Sequence, residues 1–239
     1  MDLIVVAKEP VPGRVKTRLC PPCTPREAAA LAAAALADTL TAARGSSAAR
    51  VVLALDGRPG PWCPPGVEVV GQGSGGLDRR LTAAWAAATA GAAVLVGMDT
   101  PQVTAADLDA AMAGLADGGA DAVLGPASDG GWWAIGLRRP HPHAFLGVPM
   151  SRPDTGAHQR GRLRALGLRT RLLPVRTDVD TWADALAVAG AAPRGRFAAA
   201  VRRLAACEPG ADRPPDVVVP SGTDDARRAA GAVGTGVPA

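Results

Sequence analysis

The chain has 239 residues, 48% of them hydrophobic and 20% charged, with a formal net charge of +4, a composition that suits one globular domain of moderate size. Its basic residues are scattered and accompanied by only five tryptophans, two phenylalanines and no tyrosine. The stacking stripe of a nucleic-acid groove is therefore missing, and a small anion is the expected partner.

Leu3-Ile4-Val5-Val6-Ala7 is a continuous apolar run, the mark of a strand buried on both faces of a parallel sheet. With Met1-Asp2 ahead of it, the run is too short and wrongly charged for a secretory signal. No apolar stretch approaches a membrane span, so a cytoplasmic location without membrane contact is expected. Both lysines of the chain, Lys8 and Lys16, fall in the segment that follows, whereas the other 24 cationic side chains are arginines. A compact ammonium and a planar guanidinium do different work, so this usage singles the segment out. Lys8, Arg14, Lys16 and Arg18 supply four charges beside Pro10, Pro12 and Gly13, which stiffen the loop and let backbone amides turn toward a ligand. Any one of them could be a surface charge; together they suit a polyphosphate. The loop is not a Walker A motif, because Gly13-x-x-Lys16-Thr17 lacks that motif's spacing and second glycine.

Cys20-Pro21-Pro22-Cys23 has the C-x-x-C spacing, but zinc would need two more ligands, and the segment reads more simply as a tight proline turn. Thr24, Pro25 and Glu27 then predict a capping box opening a helix that runs to about Arg44 and stops at Gly45. Strands are expected over 51–55 and 67–70. Gly71-x-Gly73-x-Gly75-Gly76 leads into a helix over about 77–89; it follows a late strand, so a dinucleotide reading of it is weak. A wholly apolar strand at 93–96 ends in Gly97-Met98-Asp99-Thr100-Pro101. Thr104 and Asp107 cap the next helix, which carries Leu108, Ala111, Met112 and Leu115 at helical spacing.

Strands at 122–124 and 132–137 flank Gly125 to Gly131. Asp129-Gly130 in that stretch is a hairpin turn or part of an acceptor pocket. Trp132 and Trp133 alternate, one toward the core and one free to face a site. Of the three histidines only His158 is placed to reach a pocket. After a helix over about 155–166 and a segment over 169–175 comes Asp178-Val179-Asp180-Thr181, then a helix from Trp182. In extended chain Asp178 and Asp180 point the same way; Asp180 could equally cap that helix. Strands and helices in this order predict a three-layer α/β domain over 1–206 with a mostly parallel sheet, and a disordered Pro/Gly-rich tail over 207–239. In such sheets ligands lie beyond the carboxyl ends of the strands, where the basic loop, the Asp99 turn and the Asp178/Asp180 turn should converge. Hydrolase signatures such as G-x-S-x-G and H-E-x-x-H are absent.

These motifs resemble a bacterial family of predicted glycosyltransferases also called selenodomain-associated transferases. The resemblance rests on Ala7-Lys8-x-Pro10-x-Pro12-Gly13-x-Val15-Lys16-Thr17-Arg18-Leu19, Gly97-x-Asp99-x-Pro101, Leu124-Gly125-Pro126-x-x-Asp129-Gly130-Gly131 and Asp178-Val179-Asp180-Thr181. More distantly the chain resembles 2-phospholactate and phosphoenolpyruvate guanylyltransferases. Both imply the nucleotide-diphospho-sugar transferase (GT-A-like) fold. The guanylyltransferase likeness implies Asp99, Asp178 and Asp180 as ligands of Mg²⁺ or Mn²⁺. Trp132 stands where the nearer family has tyrosine, and Gly75-Gly76-Leu77 replaces its Gly-Asp-Leu.

The expected activity is a Mg²⁺-dependent nucleotidyl transfer from an NTP to a small anionic acceptor. Lys16, Arg18 and Asp99 are its expected catalytic residues, and Lys8, Pro12, Gly13, Lys16, Thr17, Arg18, Gly97, Asp129 and Gly130 its nucleotide contacts. Glycosyl transfer from a nucleotide-sugar on the same fold is the alternative, and a non-catalytic nucleotide-binding protein a third.

Overall fold

The computed structural model describes residues 1–206; the tail expected over 207–239 lies outside the described residues. Seven strands form one sheet in the order β3-β2-β1-β4-β6-β5-β7: β1 (Asp2–Lys8), β2 (Arg50–Asp56), β3 (Glu68–Gly71), β4 (Ala93–Gly97), β5 (Ala122–Pro126), β6 (Trp132–Leu137) and β7 (Thr170–Leu172). β1 pairs in parallel with β2 and β4, β2 with β3, and β5 with β7; β6 alone runs against its neighbours. The sheet is thus mostly parallel, and Lys8, Asp56, Gly97 and Pro126 end their strands on a common rim.

The continuous apolar runs are explained by cover on both faces. Along β1, Leu3, Val5 and Ala7 pack with Leu36 and Leu40 of α1 (Pro25–Gly45) and with Leu108, Met112 and Leu115 of α3 (Ala105–Ala116). Ile4 faces the other way, into a cluster with Leu81 and Trp85 of α2 (Leu77–Ala88), Leu163 of α4 (Thr155–Ala165) and Phe145. Each such leucine or isoleucine removed from water contributes roughly 1.5–3 kcal/mol before entropy is counted. Capping boxes open α1 at Thr24 and α3 at Thr104, as the sequence predicts.

α5 (Trp182–Ala191) and α6 (Arg196–Ala206) lie on the outer side of α1, where Ala28, Leu31 and Ala35 meet Ala185, Val188, Phe197 and Val201 in a third cluster. α1 is therefore buried on two sides, and its alanines let both neighbours approach closely. The sequence reading does not separate α6 from α5. That reading also allows Asp180 to cap α5, but the cap is Thr181, whose hydroxyl accepts from the Asp184 N–H while Asp184 accepts from the Thr181 N–H.

Candidate functional site

Two apolar anchors brace the basic loop. Val15 is buried in the cluster under α1 and α3, and Leu19, fully buried, enters the cluster of α5 and α6. Between them Lys16 takes a left-handed backbone conformation, φ 49° and ψ 37°, just before a single 3-10 turn at Thr17–Leu19. That conformation costs a non-glycine residue roughly 1–2 kcal/mol. It is held by the anchors on either side and by the Lys16 carbonyl accepting from the Leu19 N–H at 3.0 Å.

The downstream acidic turn is pinned to the same cluster. Val179 is buried beside Leu19's neighbours, so Asp178 and Asp180 on either side both reach the cleft. The Val179 N–H donates to the Asp99 carbonyl at 2.9 Å, and Gln102 Nε2 donates to the Thr177 carbonyl at 2.7 Å. Three segments distant in sequence are thereby fastened at one sheet rim. Lys16 Nζ lies 3.0 Å from Asp99 Oδ1 and 3.1 Å from Asp180 Oδ1. Arg18 Nη1 lies 3.2 Å from Asp180 Oδ2.

Burial would lower the Lys16 pKa, but the Asp99 and Asp180 carboxylates outweigh it and hold the ammonium above the ordinary lysine value. Asp178 is the opposite case. Burial, followed by the Asp99 and Asp129 carboxylates, pushes it up to about 7, with Lys16 only partly offsetting them. Its Oδ1 is buried and has no hydrogen-bond partner among the described residues. An orphaned carboxylate oxygen facing other carboxylates suits a cation. Among the described residues no three His, Cys, Asp or Glu side chains converge as a ready metal cage. Magnesium needs less, taking one or two carboxylates and completing its shell with water and substrate oxygens. Since Asp180 is engaged by both Lys16 and Arg18, the pair that best fits such an ion is Asp99 with Asp178.

These groups line a cleft of about 680 Å³. Lys8, Lys16, Thr17, Arg18, Gly97, Asp99, Asp129, Asp178 and Asp180 all face it, and Arg14 joins them. Pro12, Gly13 and Gly130 do not. Gly130 has a packing role: its φ is +88°, and a side chain there would strike the Pro153 carbonyl, while its own carbonyl accepts from the Gly156 N–H at 2.8 Å. Asp129 closes its own turn, with Oδ1 accepting from the Gly131 N–H at 2.8 Å. Trp132 and Trp133 both border the cleft; Trp133 is buried, its Nε1 donating to the Pro174 carbonyl at 2.9 Å. His158 does not reach the cleft and instead meets Asp154 at 3.2 Å.

Sequence reasoning misses Gln72, Arg80, Ser151, Arg152, Pro153 and Thr155, all of which line the cleft. Gln72 is buried and its Nε2 donates to the carbonyls of Ala7 and Ala54, at 2.7 and 2.9 Å, so that it clamps the ends of β1 and β2. Arg80 Nη1 donates to Asp56 Oδ2 at 2.9 Å. The available signal for Gln72 was a single polar residue framed by glycines at a strand end.

A mostly parallel seven-stranded sheet with its charged cleft at the strand ends is the nucleotide-diphospho-sugar transferase fold. The structure resembles a protein named "putative nucleotide-diphospho-sugar transferase" from Desulfovibrio desulfuricans G20: 26% identity, TM-score 0.77, covering 86% of this chain and 95% of that one. Rv0371c from Mycobacterium tuberculosis H37Rv shares the fold at 21% identity and TM-score 0.50, over 77% of this chain and 94% of its own. Residues 28–152 match the model of the family described as "Uncharacterized protein conserved in bacteria (DUF2064)", and the chain belongs to that family. No curated protein matches it. The matched segment contains Asp99 and Asp129 but neither the basic loop nor the Asp178 turn. No helix among the described residues is long and apolar enough to cross a membrane.

Proposed function

We propose that the protein is a Mg²⁺-dependent nucleotidyltransferase that joins the α-phosphate of an NTP to a small phosphorylated or carboxylated acceptor. The observation that carries this reading is the meeting of Lys16 with Asp99 and Asp180 beside the unpartnered oxygen of Asp178. A polyphosphate site and a cation site share one cleft.

Lys8 and Arg14 face the cleft and form no ion pair among the described residues, so their charge is available to a triphosphate. Lys16, largely buried, and Arg18, exposed, both reach the acidic turns, where they would neutralise charge on the bridging and leaving oxygens. Asp99 and Asp178 would hold the magnesium ion, which when bound supplies charge neutralisation to the phosphates. An acceptor carboxylate or phosphate is already ionised. Its oxygen forms the new bond to the α-phosphorus as the bond to the bridging oxygen breaks, and pyrophosphate carries away that electron pair. No proton has to move, so orientation and electrostatics supply the catalysis. Arg152 and Thr155, which also line the cleft, are suited to the acceptor.

Glycosyl transfer from a nucleotide-sugar is the second reading, favoured by the likeness to the Desulfovibrio protein. Pyrophosphate release during incubation with each NTP, Mg²⁺ and a panel of small phospho- and carboxy-acids separates the two. No release with any acceptor, alongside turnover of a nucleotide-sugar, would reject nucleotidyl transfer.

A further inference from the structure

We infer that Lys16 is a place-holding cation: in the nucleotide-free protein its ammonium neutralises Asp99 and Asp180, and it yields Asp99 to a divalent ion only when a bound polyphosphate offers it another anion. The site then accepts metal together with nucleotide and discriminates against the free cation. This rests on the reading above for the identity of the incoming anion, but the place-holding itself is a property of the nucleotide-free chain.

The geometry of Lys16 carries the argument. Its side chain is only 10% exposed, and Nζ touches carboxylates from two different turns at 3.0 and 3.1 Å. Its left-handed backbone, φ 49°, fixes the direction in which the side chain leaves the loop. The position is therefore imposed by the fold. Arg18 holds the far oxygen of Asp180, so Asp180 keeps a cation when Lys16 moves, whereas among the described residues Asp99 pairs with Lys16 alone. Asp99 is the carboxylate that an exchange would free.

A divalent ion arriving alone at Asp99 meets a neighbouring ammonium with no other anion to turn to, and like charges in a partly buried site repel strongly. A nucleotide arriving with its ion changes both sides at once. Phosphate oxygens laid along Lys8, Arg14 and Arg18 give the ammonium a new partner, and the ion takes the vacated carboxylate. Charge stays matched throughout. Because coupling is reciprocal, nucleotide must raise metal affinity by the same factor as metal raises nucleotide affinity.

The test is Mn²⁺ binding to the metal-free full-length protein, followed by water-proton relaxation, which separates protein-bound from nucleotide-bound ion without any turnover. In wild type, Mn²⁺ alone should bind weakly, and the α,β-methylene analogue of the preferred NTP, found by trying all four, should tighten it by about tenfold or more. In Lys16→Gln and Lys16→Met, Mn²⁺ alone should bind about tenfold more tightly than in wild type, and the effect of the analogue should shrink. Equal Mn²⁺ affinity in wild type with and without bound analogue would overturn the inference. So would folded Lys16 variants, checked by circular dichroism, that gain no Mn²⁺ affinity. If both variants fail to fold, the wild-type comparison decides alone. If no analogue binds wild type while the variants do gain Mn²⁺ affinity, the nucleotide reading fails and the place-holding role stands.

Discussion

The backbone N–H of Val179 donates to the carbonyl oxygen of Asp99 at 2.9 Å. This one bond joins the turn after β4 to the turn before α5, and it brings Asp178 close enough to Asp99 for that carboxylate to add to the cost that burial already sets on ionising Asp178. Carboxylates held together against their repulsion are a stored demand for a cation. The buried clusters on either side meet the cost of holding them.

Asp99→Asn tests the most direct consequence. The side chain is 40% exposed, so replacing its charge should leave the circular dichroism spectrum and melting temperature close to wild type. Turnover should fall by about 100-fold or more, the scale seen when a group that acts on developing charge is removed. Steady-state pyrophosphate release measures it, and undiminished activity would remove Asp99 from the site.

Asp178→Asn should do something less usual, stabilising the metal-free protein. With a folded pKa of about 7 against roughly 3.9 in the unfolded chain, the folded state holds this proton more tightly. Below about pH 4 both states are protonated and the residue is neutral to stability. As pH rises from there to 7 the unfolded state ionises first, so stability drains away, and above 7 a constant penalty remains, at most about 4 kcal/mol. In EDTA the Asn variant should therefore melt higher than wild type at pH 8 and alike at pH 4, while losing activity. A lower melting temperature at pH 8 would show that the carboxylate has a stabilising partner and would weaken its assignment to a cation.

Gln72, which also lines the cleft, offers a third test. Its amide satisfies two buried strand-end carbonyls, so Gln72→Ala should cost about 1–3 kcal/mol by leaving them unpaired, read from urea unfolding. Since the ends of β1 and β2 border the cleft, nucleotide affinity should fall with it. Unchanged stability would mean that water replaces the amide.

Much of this architecture is legible from residues alone, and the illegible parts have a common cause. Ala93 to Val96 and Leu3 to Ala7 announce buried parallel strands because helices cover both faces, and Thr24 and Thr104 announce helix starts through bonds made within four residues. Lys16 stands out by being one of two lysines among so many arginines. What fails is whatever depends on which strands become neighbours. Gln72 has no role until β1 lies beside β2, and although a hairpin at Asp129-Gly130 would reverse β6, its insertion between β4 and β5 is set only by strand pairing. α6 has a composition like that of the whole chain, but Phe197, Val201 and Leu204 stand at helical spacing, and their packing against α1 shows which face that spacing serves.

Leu19 lets positioning be separated from stability. It is fully buried in the cluster that also holds Val179, and Leu19→Ala should cost about 2–5 kcal/mol. If the cluster's purpose includes aiming Lys16 and Arg18, the folded variant should also bind nucleotide more weakly, because the 3-10 turn that follows Lys16 loses its anchor. Leu137→Ala is the matched control. It too is buried, but it pairs with Ala93 at the start of β4, on the rim away from the cleft, so it should lose comparable stability and keep wild-type nucleotide affinity. Both are measured below their melting temperatures, by urea unfolding and by calorimetric titration. Equal affinities in the two variants would show that the third cluster holds the molecule together without directing the site.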